Sequence, residues 1–165
     1  MKVQDVMTSS PQTCGTETNL ATAAMLMWEG DCGTLPVVAD NGWVIGMITD
    51  RDICMAAATK HRAASQITVG EVITGEVFSC QPEEDVRDAL ETMQEKRVRR
   101  LPVLGEDGSL KGILSMNDIV LKAEEAKRDS AICYADVMSA FKSICGKRDL
   151  MQPEGAQPLQ QTATA

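Results

Sequence analysis

The chain has 165 residues, 44% of them apolar and 24% charged, which suits one globular unit or two small halves sharing a core and excludes a large multidomain enzyme. A formal charge of −8, from 24 acidic against 16 basic residues, works against a nucleic-acid or anionic-lipid surface and points to a basic partner or a small ligand. Six cysteines (14, 32, 54, 80, 133, 145) without a Cys-x-x-Cys pair, and a single histidine, offer no metal-ligand spacing. The start MKVQDVMTSS lacks the apolar run of a signal peptide, and no stretch reaches the ~18 apolar residues of a membrane span. The reading is a cytoplasmic protein, away from membranes, with reduced and mostly buried thiols.

In chain order the first predicted piece is a short extended segment around Thr13-Cys14, followed by a capping residue, Asn19. A helix follows, with Leu20, Ala23, Ala24 and Met27 at helical spacing. Leu35 to Val38 is a short apolar strand, Asp40-Asn41-Gly42 a hairpin turn, and Val44 to Ile48 its return strand. A second helix starts at once from Thr49. The same order then recurs. Sliding the sequence by 66 residues lays Val3 to Ile53 on Val69 to Ile119 without a gap, with about fifteen identities in about fifty positions. Among these are Cys14 with Cys80, Met27 with Met93, Leu35-Pro36-Val37 with Leu101-Pro102-Val103, Gly46 with Gly112, and Asp52-Ile53 with Asp118-Ile119. Each unit of strand, helix, strand, strand, helix is small for a stable core, so the two are expected to pack together. The antiparallel hairpin and the helical crossover before it predict a mixed sheet.

Beyond the repeat, residues 119 to 129 are expected to continue a helix of strong formers. A further amphipathic helix runs from about Ser130 to Cys145, with Ile132 or Cys133, Val137, Met138, Phe141, Ile144 and Cys145 on its apolar face and Gly146 as its stop. It either packs on the two units or keeps a face for a partner subunit. Met151 to Ala165, rich in Gln, Pro, Thr and Ala, reads as a disordered tail. The expected organisation is therefore repeat 1 over 1–62, repeat 2 over 63–126, a helical extension over 127–148 and a tail over 149–165.

The duplicated β-α-β-β-α unit, with Leu-Pro-Val, a Gly-ended hairpin turn and then Gly-x-h-[Thr/Ser]-x-x-Asp-h (h, apolar), resembles a tandem pair of cystathionine-β-synthase (CBS) domains, a Bateman module. That resemblance covers about residues 3 to 125. It implies an α/β (α+β) fold of two repeats packed as a pseudo-twofold pair, assembling as a homodimer. It also implies an adenosine-containing ligand (AMP, ADP, ATP, NAD or S-adenosylmethionine, with AMP favoured) in the clefts between repeats, and a role in regulating something else.

Thr49-Asp50-Arg51-Asp52 and Ser115-Met116-Asn117-Asp118 put a hydroxyl and a carboxylate three residues apart at a helix start. This spacing makes a capping arrangement, and the free N–H groups of the same helix start also attract phosphate. By resemblance Asp52 and Asp118 would hold ribose, with Thr49 and Ser115 near ribose or phosphate. The dense basic run is Lys96, Arg97, Arg99 and Arg100. It is either solvated charge at a helix end or, through Arg99 and Arg100, a phosphate-binding fork. Gly33 and Thr34 stand at the matching positions of the first repeat, so the two sites are unequal; Arg51 is either a cation near the first site or a lone solvated charge. The resemblance further places Thr13, Cys14, Leu35 and Pro36 around one adenine slot and Ser79, Cys80, Leu101 and Pro102 around the other. Pro36 and Pro102 cannot donate a ladder hydrogen bond, so each is expected at a strand start or edge. A thiol sensor through Cys14 and Cys80 is a further option. A structural adaptor that binds no nucleotide is the alternative, and an enzyme is disfavoured because no nucleophile motif or phosphate loop is present.

Overall fold

The computed structural model describes residues 1–125 and 132–146. Within them the elements run β1 (Thr8–Ser9), α1 (Leu20–Glu29), β2 (Thr34–Val38), β3 (Val44–Thr49) and α2 (Asp50–Thr59) in the first half. The second half holds α3 (Val86–Lys96), β4 (Arg100–Leu104), β5 (Leu110–Ser115) and α4 (Met116–Lys122), followed by α5 (Tyr134–Cys145). The predicted caps are in place: the Asn19 carboxamide accepts from Thr22 N–H at 2.9 Å and the Asp85 carboxylate from Arg87 N–H at 2.9 Å. Each hairpin turns on a glycine with positive φ, +84° at Gly42 and +76° at Gly108, backbone that only glycine adopts without strain.

β2 pairs antiparallel with β3, and β4 with β5, in matched registers that slip at the same place, Val37/Val38 and Val103/Leu104. The predicted parallel neighbour shrinks to one bridge per half, Cys14 to Val37 and Cys80 to Val103. Two bonds hold each: in the first half Cys14 N–H donates to Pro36 O at 3.1 Å and Val38 N–H to Cys14 O at 2.8 Å. Pro36 and Pro102 lie third in their strands rather than at the start. Each sits in a strand flanked on one side by its hairpin partner and on the other by this single bridge, so the missing N–H costs little.

The two halves exchange their lead-in segments. Val3 N–H donates to Glu84 O at 3.0 Å and Val69 N–H to Thr18 O at 2.8 Å; Val86 N–H donates to Met1 O at 3.0 Å and Leu20 N–H to Ile67 O at 2.9 Å. Adding or subtracting the repeat offset turns each bond of a pair into the other, which is the signature of a pseudo-twofold. Val3 accordingly lies in the core with Val86, Leu90, Met93, Leu101 and Leu114. Ile67 and Val69 lie in the other core with Leu20, Ala23, Met27, Leu35 and Ile48. Burying each of these large side chains contributes ~1.5–3 kcal/mol, so each half draws part of its core from the other's lead-in.

The crossing also explains two of the matched glycines. A Cβ on Gly112 would stand 2.7 Å from Met7 Sδ and 2.8 Å from Thr8 O, and one on Gly46 would stand 2.8 Å from Ile73 Cδ1. β1 pairs antiparallel with β5, Thr8 opposite Ile113 and Ser9 opposite Gly112; only a bare backbone lets the lead-in lie this close.

Three expectations are corrected beyond the repeat. The helix expected over 119–129 ends at Lys122, because Ala123 turns extended and Glu124 forms a parallel bridge with Cys133, Glu124 N–H donating to Ile132 O at 2.8 Å. That bridge brings the chain back for α5, which begins at Tyr134 rather than Ser130. On α5 the inward residues are Val137 and Ala140, preceded by buried Ile132 and Cys133. Met138 and Cys145, expected on the apolar face, are exposed. α5 packs on α3 and α4. The tail expected over 149–165, and residues 126–129 of the expected helix, lie outside the described residues.

Candidate nucleotide-binding clefts

Each second helix of a half begins with the same closed arrangement. Thr49 N–H and Oγ1–H both donate to Asp52 Oδ2, at 2.9 and 2.6 Å, while Asp52 N–H donates back to Thr49 Oγ1 at 3.2 Å. In the second half Ser115 N–H and Oγ–H donate to Asp118 Oδ2 at 2.8 and 2.7 Å, and Asp118 N–H to Ser115 Oγ at 3.3 Å. These are complete capping boxes, so the capping reading of the motif holds. Only one carboxylate oxygen is consumed. Among the described residues nothing donates to Oδ1 of Asp52 or Asp118, and both side chains are half-buried. Each box therefore presents one fixed, unpaired acceptor beside a helix N-terminus.

The strand leading to each box supplies the other wall. Asp50 N–H donates to Gly33 O at 3.1 Å, and its equivalent Met116 N–H to Arg99 O at 3.0 Å. The backbones match here while the charges differ: Gly33 and Asp50 on one side, Arg99 and Met116 on the other. Arg100 then leaves its own half. A Cβ on Gly33 would stand 2.9 Å from Asp50 Oδ2 and 3.8 Å from Arg100 Nη2, so this guanidinium reaches the first half's corner. The absence of a side chain at Gly33 leaves room for it. The hairpin tips meet as well, through an antiparallel bridge between Trp43 and Ser109.

Two residues of the basic run, Lys96 and Arg97, are otherwise engaged. Lys96 lies over the Phe78 ring, 5.2 Å from its centroid. Arg97 closes α3 in the left-handed conformation, φ +54°, with its N–H on Met93 O. Arg99 is exposed, as are Arg51, Thr13 and Ser79. Leu35 and Leu101 are wholly buried members of the two cores, and Pro36 and Pro102 beside them are buried as well. Thr34, equivalent to Arg100, donates its hydroxyl to Ile48 O at 2.8 Å and is likewise buried. Burial pushes the Cys14 thiol up to about 11. Burial, with the Glu84 charge adding to it, pushes Cys80 up to about 12. Neither is a thiolate near neutrality, which counts against thiol sensing.

Sequence reasoning passed over Asp50. Its signal was available: it is the one charged residue of the Thr-x-x-Asp motif whose repeat equivalent, Met116, is apolar.

The CBS domain family model matches residues 3–59 and again 69–125. The chain belongs to the CBS-domain family. It is 34% identical over 119 residues to the CBS domain-containing protein YhcV of Bacillus subtilis, spanning 72% of this chain and 83% of that one. Among solved structures it resembles Hypoxic Response Protein I with two coordinated zinc ions, at TM-score 0.68 and 30% identity, covering 75% of this chain and all of that one. It also resembles the CBS domain pair of protein MJ0100 in complex with 5′-methylthioadenosine and S-adenosyl-L-methionine, at TM-score 0.67 and 25% identity over 73% of this chain and 94% of that one. The fold is thus the α+β CBS pair, a regulatory-module architecture. Among the described residues no group of three or more His, Cys, Asp or Glu is placed to hold a metal, and no helix is long and apolar enough to cross a membrane.

Proposed function

We propose that this CBS pair is a cytoplasmic, non-catalytic regulatory module that binds an adenosine-containing nucleotide, AMP foremost, in the clefts between its repeats. The carrying observation is the pair of half-buried carboxylates, Asp52 and Asp118, each held rigid through Oδ2 by its capping box while Oδ1 stays open. A ribose diol needs a fixed acceptor of this kind, and the adjoining helix N-terminus favours phosphate. Arg99, Arg100 and Arg51 supply cations, with Arg100 reaching across from one half to the other. Thr13, Cys14 and Pro36, and Ser79, Cys80 and Pro102, border the adenine slots chiefly through backbone. The related MJ0100 pair, in complex with 5′-methylthioadenosine and S-adenosyl-L-methionine, supports the ligand class.

A ligand that touches both repeats stabilises one relative orientation of the halves, and a partner protein reads that shift. The module acts as a homodimer. A second reading, a structural adaptor without nucleotide, draws on the same capping boxes, since they already account for the hydroxyl and the carboxylate.

Calorimetric titration with AMP, ATP, NAD and S-adenosylmethionine separates the two. Asp52→Asn with Asp118→Asn keeps an acceptor for each box and removes the second carboxylate oxygen, so nucleotide affinity should fall at least ~10-fold with little change in melting temperature. No binding below millimolar concentration, or unchanged affinity in the double variant, favours the adaptor.

A further inference from the structure

Charge is unevenly shared at the corner where the two halves meet. Asp50 opens α2, and its Oδ1 accepts Arg51 N–H at 2.7 Å. Its backbone N–H is tied to Gly33 O at 3.1 Å, and Oδ2 lies over Gly33, 2.9 Å from where a Cβ would stand. Arg100 Nη2 approaches the same point to 3.8 Å. Carboxylate and guanidinium thus converge on the space of one absent methyl group without closing an ion pair. The ion pairs among the described residues join other groups: the Met1 ammonium with Asp85, Arg62 with Glu71, and Lys111 with Asp107. Asp50 is exposed but Arg100 is half-buried, and a guanidinium partly withdrawn from water gains most from an anion that contacts it directly.

Arg100 has a second direction open to it. It stands opposite Ser115 in the β4–β5 ladder, and residues opposite one another in an antiparallel pair share a face of the sheet. The flexible stem of the guanidinium therefore starts beside the Ser115–Asp118 box of the second cleft. The repeat places buried Met116 where the first half has Asp50, and buried Thr34, bonded to Ile48 O, where the second half has Arg100. One cation serves two corners, and only the first has a carboxylate at this position. We propose that Asp50 is a built-in competitor for the phosphate of the ligand. Without ligand its carboxylate draws Arg100 across to the first half. A phosphate in the second cleft, able to take both prongs of the guanidinium fork, wins Arg100 over and releases the contact between the halves. Occupancy and the inter-half contact are then mutually exclusive, which couples binding to the relative orientation of the repeats. The competition bears on phosphorylated ligands alone. This role rests on the nucleotide reading and adds which residue sets the charge preference of the site.

Calorimetric titration of the full chain with AMP, and with adenosine, which has the same base and sugar but no phosphate, tests it. Asp50→Asn keeps an acceptor for Arg51 N–H and removes the charge. It should tighten AMP ~1.5–5-fold, the range of an exposed charge pair, and leave adenosine unchanged. Arg100→Gln should weaken AMP ~10-fold, again without effect on adenosine, and adding Asp50→Asn to it should then change nothing. Circular dichroism melts matching the wild type establish folding. If a variant fails that check, Asp50→Met and Arg100→Thr, the residues at the equivalent positions of the other half, replace the two. Unchanged or weaker AMP binding in Asp50→Asn overturns the competition, the weaker result meaning that Asp50 orients Arg100 for the phosphate. A gain shared by adenosine bypasses the phosphate, and a gain that survives in Arg100→Gln is direct repulsion of the ligand by Asp50. Either of these also sinks the proposal while the nucleotide reading stands. A wild type that binds neither compound sinks both.

Discussion

In the second half Ile119 is 1% exposed beneath α5, whereas Ile53, sixty-six residues earlier in the same motif, is half-open to solvent in a groove. The inner stripes of the two halves hardly differ: Leu20 and Val86, Ala23 and Ala89, Met27 and Met93, Leu35 and Leu101 occupy equivalent buried places. Divergence is concentrated one layer out. Ala24 replaces Leu90, Trp28 replaces Gln94, and Asp50 replaces Met116, each change following from whether a further helix lies above. The close approach of strand and lead-in constrains the inner layer, because a Cβ at Gly46 or Gly112 would press on the crossing segment. The outer layer carries no such constraint and is free to acquire separate tasks.

The sharpest break of the comparison is to truncate the same residue on both sides. Ile119→Ala leaves a cavity enclosed by α3, β5 and α5 and should cost ~2–5 kcal/mol. Ile53→Ala opens into an existing groove and should cost less than half as much, both read from urea melts of the full chain. Comparable losses at the two positions mean that the first-half face is covered in solution. Next in size are the glycines. Gly112→Ala drives a Cβ onto the carbonyl of Thr8, which is backbone, and should cost ~1–3 kcal/mol. Gly46→Ala meets only the terminal carbon of Ile73, a flexible side chain, and should cost less. If Gly46→Ala is the more damaging, the reciprocal lead-in is held more tightly than the β1–β5 pairing. Smaller again, Thr49→Ala and Ser115→Ala each remove one hydroxyl cap, at ~1 kcal/mol apiece. Their near-equality is the expected outcome, because the two capping boxes agree bond for bond.

The repeat was legible because it rests on one-dimensional signals. Caps at Asn19 and Asp85, glycine turns at Gly42 and Gly108, and the Thr49–Asp52 and Ser115–Asp118 spacings all act within four residues. What escaped depends on partners distant in sequence. Val3 looks like part of the first unit, yet it completes the second unit's core, and nothing local to Val3 announces the crossing. Ala24 carries the helical period of a buried residue, but among the described residues the helix that would bury it lies on the other half. The α5 pattern could not separate Val137 and Ala140 from Met138 and Cys145, since a helix with apolar residues on two faces has no single periodic solution. At the clefts the motif carboxylates were legible, while Arg100 reaching the Gly33–Asp50 corner is a relation between halves.

A last expected effect depends on pH and concerns the thiols that sit at equivalent places in the two halves. Both keep their protons in the folded protein beyond the ordinary value near 9, to about 11 at Cys14 and about 12 at Cys80. An unfolded chain gives up those protons earlier. The stability they contribute is therefore fully present below about pH 9 and is lost as the pH rises through the two native values. Urea midpoints followed from pH 8 to pH 11 should decline, and Cys80→Ala should flatten that decline more than Cys14→Ala, because Cys80 is held up the further. The same burial dictates reactivity: iodoacetamide at pH 8 should label exposed Cys54 and Cys145 and leave Cys14 and Cys80 unmodified in the native state. Labelling of Cys14 ahead of Cys80 would show that the first half opens more readily, as a half without a covering helix should if no second copy protects it.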